Sequence, residues 1–421
     1  MTQDGILYDI TEFLHYPLRT GIQRVLFEIA SRWPKDARPL VPVMSAPAGR
    51  VYLLSPETLD LMAVYFGQQA GDPEAAHQGL LEVARHGAER LRPIDPASYS
   101  AFLNAELFFN RWRPATYHQL LGTLRERFFC LLYDFLPWLC PWWFATWLHQ
   151  MPIMEYLRLV RHVKHVAFIS EATRQDYLKR IVRDDRPTGP ALALGSDGLG
   201  VVPPRFASER RRFTIVGSLE PRKNLGPALD AFRALWAEGV QARLTLVGRM
   251  VSLAENDHRN FDEFRRSQAL FEWLPDLKDR QVREVILDSR ATIFLSRGEG
   301  FGIPPLESLS LGIPVIVYAG VPSLASIESH GQLRLPIPDA EAVRQAVHAF
   351  LDDDFARGKS QEIPRLRLPT WAGLARNLAT WIENTLASQG SDTSSSLRDV
   401  PAGPHVAGPP GRRTRARRSL R

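Results

Sequence analysis

Two apolar runs, Thr292–Ser296 and Pro314–Tyr318, constrain the fold more than any other feature of the chain. Neither alternates polar and apolar residues, so each reads as a strand buried on both faces, the pattern of parallel sheets. Parallel neighbours need a crossover, and the intervening residues supply one. A turn, Gly298–Gly302, leads into a short helix opened by Pro304 and Pro305 and closed by Gly312. Three glycines therefore stand at the carboxyl end of a strand, just before a helix N-terminus. Open α/β sheets hold phosphates and nucleotides at that place. Glu299 on the loop and Glu307 in the first helical turn, with seven residues between them, can face one crevice.

The same alternation recurs along the chain. Gly5–Ile10, Leu40–Val43, Phe129–Tyr133 and His165–Ser170 read as strands, with helices at Ile22–Trp33 and Glu171–Val182. Pro42 marks its strand as an edge or a strand end. Residues 55–125 are helical and weakly patterned, with no order assigned. After a Gly, Pro and Ser cluster at Gly195–Ser208 a new register starts: strand Phe213–Val216, helix Pro227–Glu238, strand Arg243–Val247 and helix Asp279–Ser289. Strands alternating with helices of this length predict βαβ units. A chain of 421 residues is too long for one core. The predicted fold class is α/β, with two doubly wound domains at 1–200 and 201–364. The segment 365–387 holds a helix, about Thr370 to Leu386, expected to pack back toward the first domain. Residues 388–421 are Ser, Gly and Pro-rich and predicted to be disordered.

Charge narrows the function classes. The net charge is +6, but the last 34 residues hold seven Arg and two Asp, so the body is near neutral. A basic nucleic-acid-binding body is excluded; only the tail is basic. The two cysteines, Cys130 and Cys140, fit no metal spacing and fit a reducing compartment. No basic region followed by an apolar core opens the chain, so no signal peptide is expected. Phe128–Leu148 imitates a membrane span, but Asp134 near a bilayer centre would cost roughly 2.5–3.5 kcal/mol. Pro137 and Pro141 would also break the helix. The segment reads as a buried strand followed by an aromatic loop and helix. Its tryptophans, Trp138, Trp142, Trp143 and Trp147, read either as packing or as a platform for a sugar or lipid-linked acceptor. Asp352, Asp353 and Asp354 spell a carboxylate run but lie in a polar helix-end region and read as surface.

A second loop, Gly217–Asn224, follows the first strand of the second domain and shares a sheet edge with Gly298–Gly302. Its adjacent cations, Arg222 and Lys223, suit a nucleotide diphosphate that gains negative charge as it departs from a sugar. Glu307 is a candidate bidentate acceptor for two ribose hydroxyls, and Glu299 for a sugar hydroxyl.

These residues carry a resemblance. The segment Glu299–Glu307 resembles the Glu-x7-Glu signature of family-4 retaining glycosyltransferases. Pro221–Asn224 is similar to their diphosphate loop, and Leu311–Ile316 to their helix-to-strand exit. Arg19–Arg24, Tyr133–Pro137 and Ile169–Asp176 resemble the mannosyl- and rhamnosyltransferase-like subgroup. The resemblance covers about residues 5–387. It implies the GT-B fold, two Rossmann-like domains across a cleft, with the donor mainly on the second domain and the acceptor on the first. It implies Glu299, Arg222, Lys223 and Asp134 as catalytic residues. Donor binding would fall to Glu307, Gly300, Phe301, Gly302, Ile303, Gly217, Gly21 and Tyr133. The Phe301 and Gly302 amides would meet the donor sugar, and Gly21 would allow close approach to the phosphates.

No cofactor and no metal are expected, the nucleotide-diphosphate sugar being a co-substrate. Tyr133 stands where many members have His, and Ser218 where many have Arg, a charge that Arg222 or Arg249 could supply. No carboxylate nucleophile emerges, which favours front-face transfer in which the leaving diphosphate takes the acceptor's proton. The expectation is a cytoplasmic hexosyltransferase of surface polysaccharide synthesis acting on a saccharide or lipid-linked saccharide. Mannose is the first guess for the sugar, and the arginine tail would contact an anionic membrane peripherally. A nucleotide-sugar 2-epimerase and a non-catalytic glycan-binding partner stay open as alternatives.

Overall fold

A computed structural model describes residues 3–107, 110, 112–144, 150–251 and 255–395. The first domain is built on a seven-stranded sheet. Its strands are β1 (Gln3–Asp9), β2 (Leu40–Ala46), β3 (Arg50–Leu53), β4 (Pro93–Ile94), β5 (Tyr99–Asn104), β6 (Phe128–Leu132) and β7 (His165–Phe168). They lie in the order β4-β3-β2-β1-β5-β6-β7, parallel except that β3 runs antiparallel to β2 and to β4. The second domain has six parallel strands: β8 (Arg212–Val216), β9 (Arg243–Val247), β10 (Phe271–Leu274), β11 (Ser289–Phe294), β12 (Val315–Tyr318) and β13 (Gln332–Leu335). Their order is β10-β9-β8-β11-β12-β13. The runs that opened the sequence reading pair as β11 and β12, with Thr292 opposite Val315. Fully buried β11 and largely buried β12 explain their lack of alternation.

Five strands lie where no strand was predicted: β3, β4, β5, β10 and β13. β5 sits at the centre of its sheet, between β1 and β6, inside the stretch read as helical. Pro42 does not mark an edge, because β2 lies between β1 and β3. Its carbonyl accepts from the Leu54 N–H at the last rung of the β2–β3 ladder, so its missing N–H falls where pairing stops. Phe128–Leu148 begins as β6 and continues as a short helix, Leu136–Leu139, and a turn at Pro141–Trp143. Trp147 lies outside the described residues. Among the described residues no helix is long and apolar enough to cross a membrane. Both cysteines are free, Cys130 buried and Cys140 half-buried.

The last described helix runs Trp371–Ser395, so residues 388–395, predicted disordered, are helical; 396–421 lie outside the described residues. Its first turns rest on the first domain. Trp371 is fully buried against Gly195, its backbone N–H donates to Asp197, and the Trp381 ring packs edge-on against Phe129. Asp353 is tied to the buried Arg290, and Asp352 caps the helix that follows, so the acidic run anchors a helix start.

A charge cluster lies under the carboxyl ends of β1 and β5. Arg113, with no exposed surface, pairs with Asp9 at 3.1 Å, Glu12 at 3.2 Å and Glu106 at 2.9 Å. Glu106 also accepts the backbone N–H groups of Glu12 and Phe13. Burial pushes the Glu106 carboxyl up to about 8, against the pull of Arg113 and with the help of Asp9.

Candidate active site

The carboxyl ends of β8 and β11, neighbours at the centre of the second sheet, bring two loops together. After β8 the chain turns through Gly217 and forms one helical turn at Pro221–Lys223, closed by Asn224 in the left-handed region. The loop after β11 is stitched to it: the Arg222 carbonyl accepts the Arg297 N–H at 2.9 Å and the Ser296 hydroxyl at 3.2 Å. The side chains then converge. Lys223 Nζ lies 2.6 Å from Glu299 Oε1, and Arg222 lies 3.1 Å from Glu299 Oε2 while donating to the Gly298 carbonyl at 2.8 Å. Glu220 takes the other edge of Arg222. All three members of the cluster are under one-fifth exposed. Burial pushes the Glu299 carboxyl up, but Lys223 and Arg222 outweigh it and hold it below the usual carboxylate range.

The loop enters its helix, Ile303–Ser310, through Gly302 at φ 92°, a conformation that favours glycine. The Phe301 and Gly302 N–H groups make no hydrogen bond among the described residues, whereas both carbonyls accept from Ser323. Ile303 is the first helical residue. Glu307 lies in the second turn rather than the first, so its carboxylate does not serve the helix dipole. It is buried and pairs with Arg24 of the first domain at 3.3 Å. Arg24 also meets Asp279. Burial raises the Glu307 carboxyl, opposed by Arg24.

The first domain closes directly onto the glycine loop. The Ser170 hydroxyl donates to the Gly300 carbonyl at 2.6 Å, and Thr173 reaches the same oxygen at 3.3 Å. A Cβ on Gly300 would stand 2.7 Å from Asp134 Oδ2 and 2.9 Å from Ile169 Cδ1. One on Gly298 would overlap the Trp143 ring. Asp134 is partly buried and accepts the Leu136 N–H; burial raises its carboxyl, with Arg222 pulling it down.

The structure thus brings together Glu299, Arg222, Lys223, Asp134, Gly300, Phe301, Gly302, Ile303 and Gly217, and sets Glu307 beside them on the same helix. Two predicted members stay out. Tyr133 is buried and its hydroxyl donates to the Ala105 carbonyl at 2.9 Å, so it faces the interior of its own domain. Gly21 has open space around it and simply starts a helix capped by Thr20; Arg24, three residues on, is what reaches the second domain. Arg249, the other candidate for that charge, is exposed and paired with Asp276. Sequence reading took Trp143 only as packing or as part of an acceptor platform, and assigned no role to Ser170, Thr173 or Arg24. The last three lie in stretches singled out for resemblance, but nothing in one dimension shows that they touch the glycine loop.

Gly300→Ala should lower kcat/KM for any donor by about 10²-fold while leaving the thermal midpoint unchanged. Its methyl forces Asp134 and Ile169 away, and displacement of about 1 Å near reacting groups costs that much. A kcat/KM within twofold of wild type would show that this approach is unimportant.

Comparisons with known proteins bear on this geometry. Residues 203–364 match the family described as Glycosyl transferases group 1. The chain is 27% identical over 338 residues to the serotype-specific mannosyltransferase WbdA of Escherichia coli, covering 74% of this chain and 38% of that protein. It is 24% identical over 244 residues to the Escherichia coli O-antigen chain mannosyltransferase B, covering 54% of this chain and 62% of that one. The chain therefore spans well under two-thirds of the length of the first of these relatives. Among solved structures, Anabaena Alr3699/HepE in complex with UDP-glucose superposes with a TM-score of 0.57 at 15% identity, over 93% of this chain and all of that one. That likeness shows a shared fold, the two-domain GT-B arrangement.

Proposed function

We propose that this chain, a GT-B protein whose residues 203–364 carry a glycosyl transferases group 1 domain, is a retaining hexosyltransferase. It would use a nucleotide-diphosphate sugar and act on a saccharide or lipid-linked saccharide in surface polysaccharide synthesis. One observation carries the reading: Arg222 and Lys223 are fixed on Glu299 at adjoining strand ends, beside the Phe301 and Gly302 amides, which make no hydrogen bond among the described residues. Such preorganised donors stabilise a diphosphate as it takes on charge. In this reading Lys223 and Arg222 hold the diphosphate, and Glu299 orients both cations and meets the transferred sugar. Glu307 accepts the ribose hydroxyls, its Oε1 shared with Arg24 or released by it. Asp134 faces the sugar from the first domain.

Transfer breaks the bond between the anomeric carbon and the diphosphate oxygen and forms the acceptor's C–O bond on the same face. The acceptor's proton passes to the departing diphosphate. No metal or other cofactor enters this scheme. The mannosyltransferase relatives support mannose as the sugar.

A thermal-shift panel of GDP-, UDP-, dTDP- and ADP-sugars tests the donor. A ligand at 100 times its Kd stabilises by about 2.7 kcal/mol, a shift of several degrees. GDP-mannose is expected to give the largest rise. A larger rise with another base would reassign the donor, and no rise with any would remove the proposal. Incubation of the selected donor without acceptor separates transfer from epimerisation, because an epimerase would convert the donor into its 2-epimer whereas a transferase would leave the sugar's configuration unchanged.

A further inference from the structure

A cleft of about 370 Å³ opens on the first domain, and none of the active-site residues described above lines it. Its volume falls within the roughly 300–1,000 Å³ of ligand pockets. Trp138, Leu157 and Ile181 form apolar walls, and four exposed arginines rim it: Arg158, Arg161, Arg180 and Arg183. Arg158 pairs with Glu155 and Arg180 with Asp176, whereas Arg161 and Arg183 have no ion-pair partner among the described residues. Arg161 also acts on the Asp184 carboxylate at longer range, and the rim keeps a net positive charge.

The chemistry of the lining selects a ligand. Guanidinium groups only donate hydrogen bonds, so a rim of arginines favours an acceptor-only anion such as phosphate. A sugar would need carboxylate or amide acceptors for its hydroxyls, and the lining supplies none. The apolar walls call for hydrocarbon. A phosphate joined to a hydrocarbon chain answers both. Trp138 on the cleft wall is 46% exposed and Trp142, four residues on, is 72% exposed, large apolar rings of the kind that settle at a membrane–water interface. We infer that this face docks the protein on a bilayer bearing anionic phospholipid, with one lipid phosphate seated among Arg158, Arg161 and Arg183.

The test is co-sedimentation of the full-length protein with phosphatidylcholine vesicles, alone or mixed with phosphatidylglycerol. Wild type should bind the mixed vesicles and release them in high salt. Each arginine lost should weaken partitioning by about fivefold. The Arg161→Gln/Arg183→Gln variant should therefore bind at least tenfold less. Both side chains are exposed and without an ion-pair partner among the described residues, so its thermal midpoint and its transfer to a soluble acceptor should match wild type. Trp142→Ser should weaken binding further. A full-length variant with the seven tail arginines changed to Gln should keep most of its binding. Three outcomes would each overturn the inference. The cleft variant could bind like wild type, the tail variant alone could lose binding, or both vesicle types could bind equally.

Discussion

Lys223→Ala is expected to lower transfer by about 10²–10³-fold with the fold intact, the loss seen when one preorganised stabiliser of developing charge is removed. The ammonium is under one-fifth exposed and 2.6 Å from Glu299. It does not have to be ordered when the diphosphate arrives, and its field is not screened as a surface lysine's would be. Glu299→Ala should cost a similar factor, because it frees both cations from one geometry. The two losses should not add: the double variant should lie close to either single one, as for residues acting as a unit. Lys223→Arg should recover only part of the activity, since a planar fork cannot take the place of a point charge.

Most of the loss should fall on kcat, because the diphosphate's charge grows toward the transition state. Glu299 stays ionised below the usual carboxylate range, so a fall in activity between pH 7 and 5 should not trace to its protonation. Near-normal turnover by Lys223→Ala would remove the diphosphate assignment.

Arg113→Met should be the most damaging change far from the crevice. It leaves Asp9, Glu12 and Glu106 buried together without their shared cation. Removing one partner of a buried ion pair costs about 3–5 kcal/mol, a drop in the first domain's melting midpoint on the order of 10 °C. Arg113→Lys should rescue little, because one ammonium cannot reach three carboxylates that a forked guanidinium joins. Adding Glu106→Gln to Arg113→Met should recover part of the midpoint by removing one stranded acid. A midpoint within 2 °C of wild type for Arg113→Met would mean that water or local rearrangement satisfies the cluster.

The cluster also shows where sequence reading stops. Asp9, Glu12, Glu106 and Arg113 lie up to 104 positions apart, and two of them fall in the stretch read as weakly patterned helix. β5 was missed in the same stretch because six residues, Tyr99–Asn104, are too few for an apolar run to distinguish strand from helix. The glycine loop was legible because glycine, proline and unbroken apolar runs are local signals. So was the placement of Arg222 and Lys223 on the sheet edge that carries Glu299, since parallel topology alone puts both loops there; that both cations pair with Glu299 was not. Tyr133 was misplaced for the opposite reason. Its position beside Asp134 is local, but the direction of its hydroxyl is set by the Ala105 carbonyl on a neighbouring strand end.

The sequence by itself determined the two βαβ registers, the chemistry of the β8 and β11 loops and the identity of the residues that meet there. Each follows from backbone preference and apolar periodicity, which act over a few residues. Only the tertiary structure decided what those residues face. It set Arg24 on Glu307, Ser170 on the Gly300 carbonyl and Trp143 on Gly298, and it gathered four arginines around an apolar cleft. These contacts join segments more than a hundred residues apart or different faces of neighbouring helices. They exist only after two cores have packed and fixed the distances across which charge and shape act.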